Sequence, residues 1–259
     1  MPVKHLVRLL QRLAIFGLGA LSIWLIVDVF DWVDADLPWI LALAVTYGLA
    51  AYVILPYAVR MGLKVLQHRH VPRFTITGDG LPGDPVNLAL IGTMDALRKG
   101  FAKAGWQQTD PLSLQSCWRM AKTFVLNEPY PTAPFSTLYL FGRGQDIGFQ
   151  KAIGDSPRKR HHVRFWAKAL AEADKVDDRF WLNTDRPDEN AKVLWVGAGT
   201  KDTGFSLTRL TFQMTHATDS DTNAERDYIM GVLRDSGAIG AVTMYEAGDR
   251  LSAGTVNHH

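Results

Sequence analysis

The chain has 259 residues, 47% hydrophobic and 21% charged, with a formal net charge of +2 and one cysteine. Residues 1–73 hold seven Lys or Arg and four acids, leaving 21 basic and 22 acidic residues in the rest, a balance that argues against a nucleic-acid-binding domain. Cys117 alone excludes an intramolecular disulfide and a cysteine-based zinc site.

In chain order, "LAIFGLGALSIWLIVDVF" (Leu13 to Phe30) is 18 residues with one charge, Asp28. As a helix it is about 27 Å long, close to the hydrocarbon thickness of a bilayer. "WILALAVTYGLAAYVILPYAV" (Trp39 to Val59) is uncharged and about 31 Å long. Two transmembrane helices are predicted, over about 13–33 and 38–59. A signal peptide would need a shorter apolar run and a small-residue cleavage site. Lys4, Arg8 and Arg12 precede the first span, and Arg60, Lys64, Arg69 and Arg73 follow the second. The loop "DWVDADLP" is purely acidic. The positive-inside rule then places both ends, and the following domain, on the cytoplasmic side of a cell (inner) membrane. "RMGLKVLQHRH" is expected to prolong the second helix, with His68 and His70 in a solvated juxtamembrane run rather than a metal clip.

Residues 74–259 read as a soluble α+β domain with one mostly antiparallel sheet and a few packed helices. "RFTITGDGLPGDP" predicts a strand and a turn region, and "VNLALIGT" a buried strand. "TMDALRKGFAKAGW" predicts a helix capped by Thr93, and "PLSLQSCWRMAKTFVL" a second amphipathic helix. "NEPYPTAP" is a proline loop. The segments "STLYLFGR", "QDIGFQKA", "RHHVRFWAKAL", "AKVLWVGAG", "FSLTRLTFQMTH" and "AVTMYEA" predict strands, with "GAGTKDTGF" as a glycine-rich hairpin turn. "DTNAERDYIMGVLRDSGA" predicts a helix with a Thr222-x-x-Glu225 capping box. The tail ending in His258 and His259 carries no structural signal.

"PVNLALIGT", "AGWQQTDPLSL", "YPTAPFSTLYLFGRGQDIGFQKA", "SPRKRHHVRFW", "LWVGAGTKDTGF" and "THATDSDTNAERDYI" occur in that order. Together they resemble the LssY C-terminal domain family, over roughly Thr77 to Tyr245. The resemblance implies a bacterial, membrane-linked domain and assigns no reaction. Larger relatives fuse the domain to DedA-like and phosphatidic-acid-phosphatase-like segments. Those phosphatase motifs are absent here, so their activity is not carried over. Ala217 stands where related sequences often have a second His, which weakens a His-pair metal reading there.

Three constellations could carry chemistry. In a strand, Arg160, His162, Arg164 and Trp166 share one face, while His161, Val163 and Phe165 share a core-like face. Arg160 and Arg164 suit a phosphate or carboxylate clamp, with His162 as proton shuttle. The alternative is a solvated outer face. His216, Asp219 and Asp221 could hold a divalent metal, or the helix start could attract an anion, while helix capping alone would account for Asp221, Thr222 and Glu225. In "RGQDIGFQ", Arg143 and Gln145 are candidate substrate contacts, and Asp146 could orient His162 or His216. Two functions fit. One is a hydrolase or transferase acting on a phosphate-bearing or lipid-linked substrate at the membrane, with His162, His216 and Asp146 as catalytic candidates. The other is a non-catalytic tethered domain for an anionic ligand or a partner membrane protein.

Overall fold

The computed structural model describes residues 2–65, 71–126, 128–154, 159–168, 190–207, 214–242, 250–251 and 254–255. The N-terminal apolar run is helix α1, Pro2–Asp34. The second run is one rod built from α2 (Trp39–Leu49), a π-helical stretch (Ala50–Ile54) and α3 (Leu55–Val65). Pro56 lacks an amide proton, and the turn before it loosens so that Leu55 N–H bonds Ala50 C=O. Leu9–Asp34 and Trp39–Leu63 are long and apolar enough to cross a membrane, each a few residues longer than predicted. α1 packs on both α2 and α3 as a hairpin. His68 and His70 lie outside the described residues.

The domain after the hairpin is α+β, and its described strands fall in two antiparallel sheets and one small hairpin rather than the single sheet expected. The first strands are β1 (Phe74–Ile76), β2 (Pro82–Pro85) and β3 (Leu88–Gly92), followed by α4 (Met94–Lys103), β4 (Gln107–Gln108) and α5 (Leu114–Leu126). Then come β5 (Tyr139–Leu140), β6 (Arg143–Gly144), β7 (Ile147–Ala152), β8 (Arg160–Lys168), β9 (Val193–Leu207), β10 (Met214–Thr218) and α6 (Thr222–Asp235). β11 (Arg250–Leu251) pairs with β12 (Gly254–Thr255). The larger sheet runs β10-β9-β8-β7-β4 with β3 also on β9, and the smaller runs β2-β1-β5-β6.

Two apolar layers hold this together. On one side of the larger sheet, Val163, Phe165, Phe149, Trp195 and Leu88 pack on Leu97 and Phe101 of α4 and Ile229 and Leu233 of α6. On the other side, Trp166, Leu194, Val196 and Ala198 pack on Val86, Leu138 and Leu140, toward the smaller sheet. Both faces of β8 are therefore covered, and the solvated outer face considered for Arg160, His162 and Arg164 does not exist.

Three local expectations change. "STLYLFGR" is not one strand: it turns between β5 and β6 at Phe141 and Gly142, both at positive φ (54° and 72°), as two-residue hairpins demand. "GAGTKDTGF" is not a turn but the middle of β9, a single strand of 15 residues. Gly197 and Gly199 answer to packing: a Cβ at Gly197 would lie 2.5 Å from Leu88 and 2.7 Å from Phe165, and one at Gly199 2.5 Å from Ile229. The cap of α6 is Asp221, whose carboxylate accepts from Ala224 N–H at 2.9 Å, while Glu225 turns inward to His161. Thr93 caps α4 as expected, accepting from Ala96 N–H at 3.1 Å. Of "AVTMYEA", residues 243–247 lie outside the described residues, and Ala241 and Val242 join no strand.

Candidate functional site

Register on the larger sheet assembles a polar cluster inside the second apolar layer. In β8, Arg160, His162 and Arg164 point the same way, and β9 sets Asp202 opposite Arg160 and Thr200 opposite His162. On the other flank, β7 sets Gln150 opposite His162. β2 of the smaller sheet adds Asp84 from above. His162 is 2% exposed, Thr200 1% and Asp202 0%, so this is a buried charge network that must satisfy itself.

Its bonds are specific. Asp202 accepts from Arg160 Nε at 2.8 Å, and its other oxygen lies 3.1 Å from His162 Nδ1. Arg160 also donates to Gln150 Oε1 at 2.5 Å, and Gln150 in turn donates to Pro131 C=O at 2.6 Å. At the other ring nitrogen, Thr200 Oγ1 is 2.7 Å from His162 Nε2, and Arg164 Nη1 is also at 2.7 Å. Arg164 Nη1 donates to Asp84 as well. A guanidinium only donates, so in the neutral ring Nε2 is the acceptor, and Nδ1 faces Asp202 as a 3.1 Å ion-pair contact rather than an aligned hydrogen bond. Nε2 has one lone pair, so Thr200 and Arg164 compete for it. Arg164 Nε is buried with no hydrogen-bond partner among the described residues.

Phe135 covers the row. Its ring centre is 4.9 Å from the Arg160 guanidinium carbon, 4.6 Å from that of Arg164 and 5.0 Å from the His162 ring. Gly148 admits it, since a Cβ there would lie 2.6 Å from the Phe135 ring.

The charges set proton affinities. Burial is the largest influence and works against a charged His162, but the Asp202 carboxylate and Asp84 together outweigh it and the opposing Arg164, so the imidazole is pushed above its ordinary 6.5. Burial likewise works against ionised Asp84, and the Arg164 guanidinium and His162 overcome it, holding that carboxyl below its usual 3.8.

The other residues singled out from sequence lie in different surroundings. Arg143 and Asp146 pair through two contacts, at 2.8 and 2.7 Å, and Asp146 accepts from Ala167 N–H at 2.7 Å. They lock the β6–β7 corner to the end of β8. Gln145 accepts from Leu138 N–H at 3.0 Å, bracing the same corner. The carboxylate that faces His162 Nδ1 is Asp202 rather than Asp146. Asp219 sits 3.7 Å from Lys201, which is paired with His161 in the register, on the helix-covered side of the sheet. Asp221 is the α6 cap. His216 pairs with Phe205 in the backbone register, and its side chain lies outside the described set. Among the described residues, no three His, Cys, Asp or Glu side chains converge as a metal cage.

Thr200, Asp202, Asp84 and Phe135 are the members that sequence reading did not place in the site. The signal for two of them was present as Thr200-x-Asp202, with the same two-residue spacing as Arg160-x-His162. Reading the glycines around it as a turn hid the strand alternation.

No curated protein and no solved structure matches this chain. The family described as LssY C-terminus matches residues 68–254, nearly everything beyond the apolar helices. With two helices able to cross a membrane and that match over most of its length, this membrane-associated chain belongs to the LssY C-terminus family.

Proposed function

We propose that the protein is a membrane-anchored hydrolase or transferase. It acts on a phosphate-bearing or lipid-linked substrate at the cytoplasmic face of a bacterial inner membrane. The observation that carries this is the line Thr200–His162–Asp202, a hydroxyl 2.7 Å from one imidazole nitrogen and a carboxylate 3.1 Å from the other, beside two guanidiniums. A nucleophile, a base and a group that orients the base is the arrangement such chemistry requires. Thr200 Oγ1 attacks the substrate phosphorus as His162 takes its proton at Nε2. The P–O bond to the leaving alcohol breaks, and His162 returns the proton to that oxygen. Water or an acceptor alcohol, deprotonated by His162, then displaces Thr200 from the phosphoryl group, while Asp202 steadies the imidazolium. Arg160 and Arg164 bind the substrate anion. For this to happen Arg164 leaves Nε2 and Asp84 yields its place to substrate, while Phe135 lifts from the row. The basic flanks at Arg8, Arg12 and Arg60 and the acidic Asp31, Asp34 and Asp36 support the orientation.

A second reading is a tethered domain that binds an anion without turnover. It is favoured by the burial of the row and by the carboxylates its guanidiniums already hold. The test reconstitutes the full chain in vesicles containing phosphatidic acid and follows both phosphate release and lipid binding. Turnover that disappears in His162→Gln and persists in the surface control Asp95→Asn supports the enzyme. Binding that needs Arg164, with no turnover, supports the second reading. Neither binding nor turnover, across phosphomonoester and diphosphate lipids alike, contradicts both.

A further inference from the structure

Helix α5 turns apolar side chains outward. Leu114 is 93% exposed and Trp118, one turn later, 75%, with Leu112 and Leu126 at 51% and 54%. Leu114 and Trp118, one turn apart on α5, make a contiguous apolar patch of the kind that marks an interaction surface. The helix and the residues leading into it, 111–126, contain no acid, and the exposed charges among them are Arg119 and Lys122. Arg119 is steadied 4.4 Å over the Tyr130 ring.

The domain touches the apolar helix that leads into it. A Cβ at Gly80 would lie 3.4 Å from Val59, so the β1–β2 turn touches α3 within the apolar span ending at Leu63. Val71 is fully buried in the domain core, and the chain from Val65 to Val71 reaches at most about 20 Å. A tethered surface of leucine and tryptophan beside cations has one partner always within reach, the anionic lipid headgroup layer. We infer that α5 is an interfacial helix that lies in that layer. Leu114 and Trp118 enter the acyl boundary, and Arg119 and Lys122 meet lipid phosphates. This does not depend on the reaction proposed above.

The test uses the full chain with Cys117→Ser and a single bimane-labelled cysteine at Leu114→Cys, or separately at Trp118→Cys, with Asp235→Cys on α6 as reference. The protein is reconstituted in phosphatidylethanolamine–phosphatidylglycerol vesicles carrying dibrominated acyl chains. Labels at 114 and 118 are expected to be quenched about twofold or more, the label at 235 is not, and Arg119→Glu with Lys122→Glu reverses most of the effect. Labels at 114 and 118 that stay unquenched by lipid, whether open to aqueous iodide, shielded by the chain itself or cross-linked to a second copy, would overturn the inference.

Discussion

At the scale of single residues, Asp202 has two roles that one substitution separates by pH. Its carboxylate raises the proton affinity of His162 against burial. A raised imidazole pKa stabilises the fold fully below 6.5, and that contribution is lost as pH rises through the folded value. A base must be neutral to act, so the rising limb of kcat/KM lies above 6.5. Asp202→Asn is expected to move that limb to lower pH and to cost about 3–5 kcal/mol by removing the carboxylate that balances the buried Arg160 charge. A pH–rate profile and denaturant unfolding check both, and an unmoved limb counts against His162 as the base. Asp84 works with the opposite sign. Its contribution is full above 3.8 and is lost as pH falls through its depressed value. Because Asp84 competes with substrate for Arg164, Asp84→Asn is expected to lower KM about tenfold, roughly 1.4 kcal/mol, while reducing stability. A KM that rises would show that Asp84 helps to bind substrate.

At the scale of elements, β9 explains what could and could not be read in advance. The residues on β8 alternate as expected, with Val163 and Phe165 in the helix-side core and Arg160, His162 and Arg164 opposite. Alternation within one strand is local, so it was legible. Which strands flank β8 is not local, and Asp202, 42 residues from Arg160, enters only through register. The glycines of β9 looked like turn residues because sequence does not say that Leu88 and Phe165 need the space of a side chain. That need is measurable: Gly197→Ala is expected to cost about 1–3 kcal/mol by overpacking. Thermal unfolding of the full chain in detergent would report it, and an unchanged midpoint would mean that the core relaxes freely there. Likewise, Glu225 fits a capping-box pattern, yet its carboxylate lies 2.8 Å from His161 Nδ1, while Asp221 takes over the capping of α6 at Ala224 N–H.

At the scale of the whole molecule, the apolar helices were legible almost to their ends, because bilayer thickness and apolar length are the same quantity. The layering was not, since α+β composition is equally consistent with one sheet or two. The proposed orientation predicts that Asp36→Cys, in a Cys117→Ser background, reacts with a membrane-impermeant maleimide only from the side opposite the domain. Labelling from the domain side would invert the topology. In the proposed orientation the domain would meet lipid from the cytoplasm, with the Thr200–His162–Asp202 line under Phe135. The measurement that bears most directly on this account is turnover of a phosphate-bearing lipid by Thr200→Ala and Thr200→Ser in vesicles. Both variants must show wild-type unfolding midpoints. The account predicts that Ala abolishes turnover, by about a thousandfold or more, and that Ser retains it, because a hydroxyl remains 2.7 Å from the base. Undiminished turnover in Thr200→Ala would contradict it.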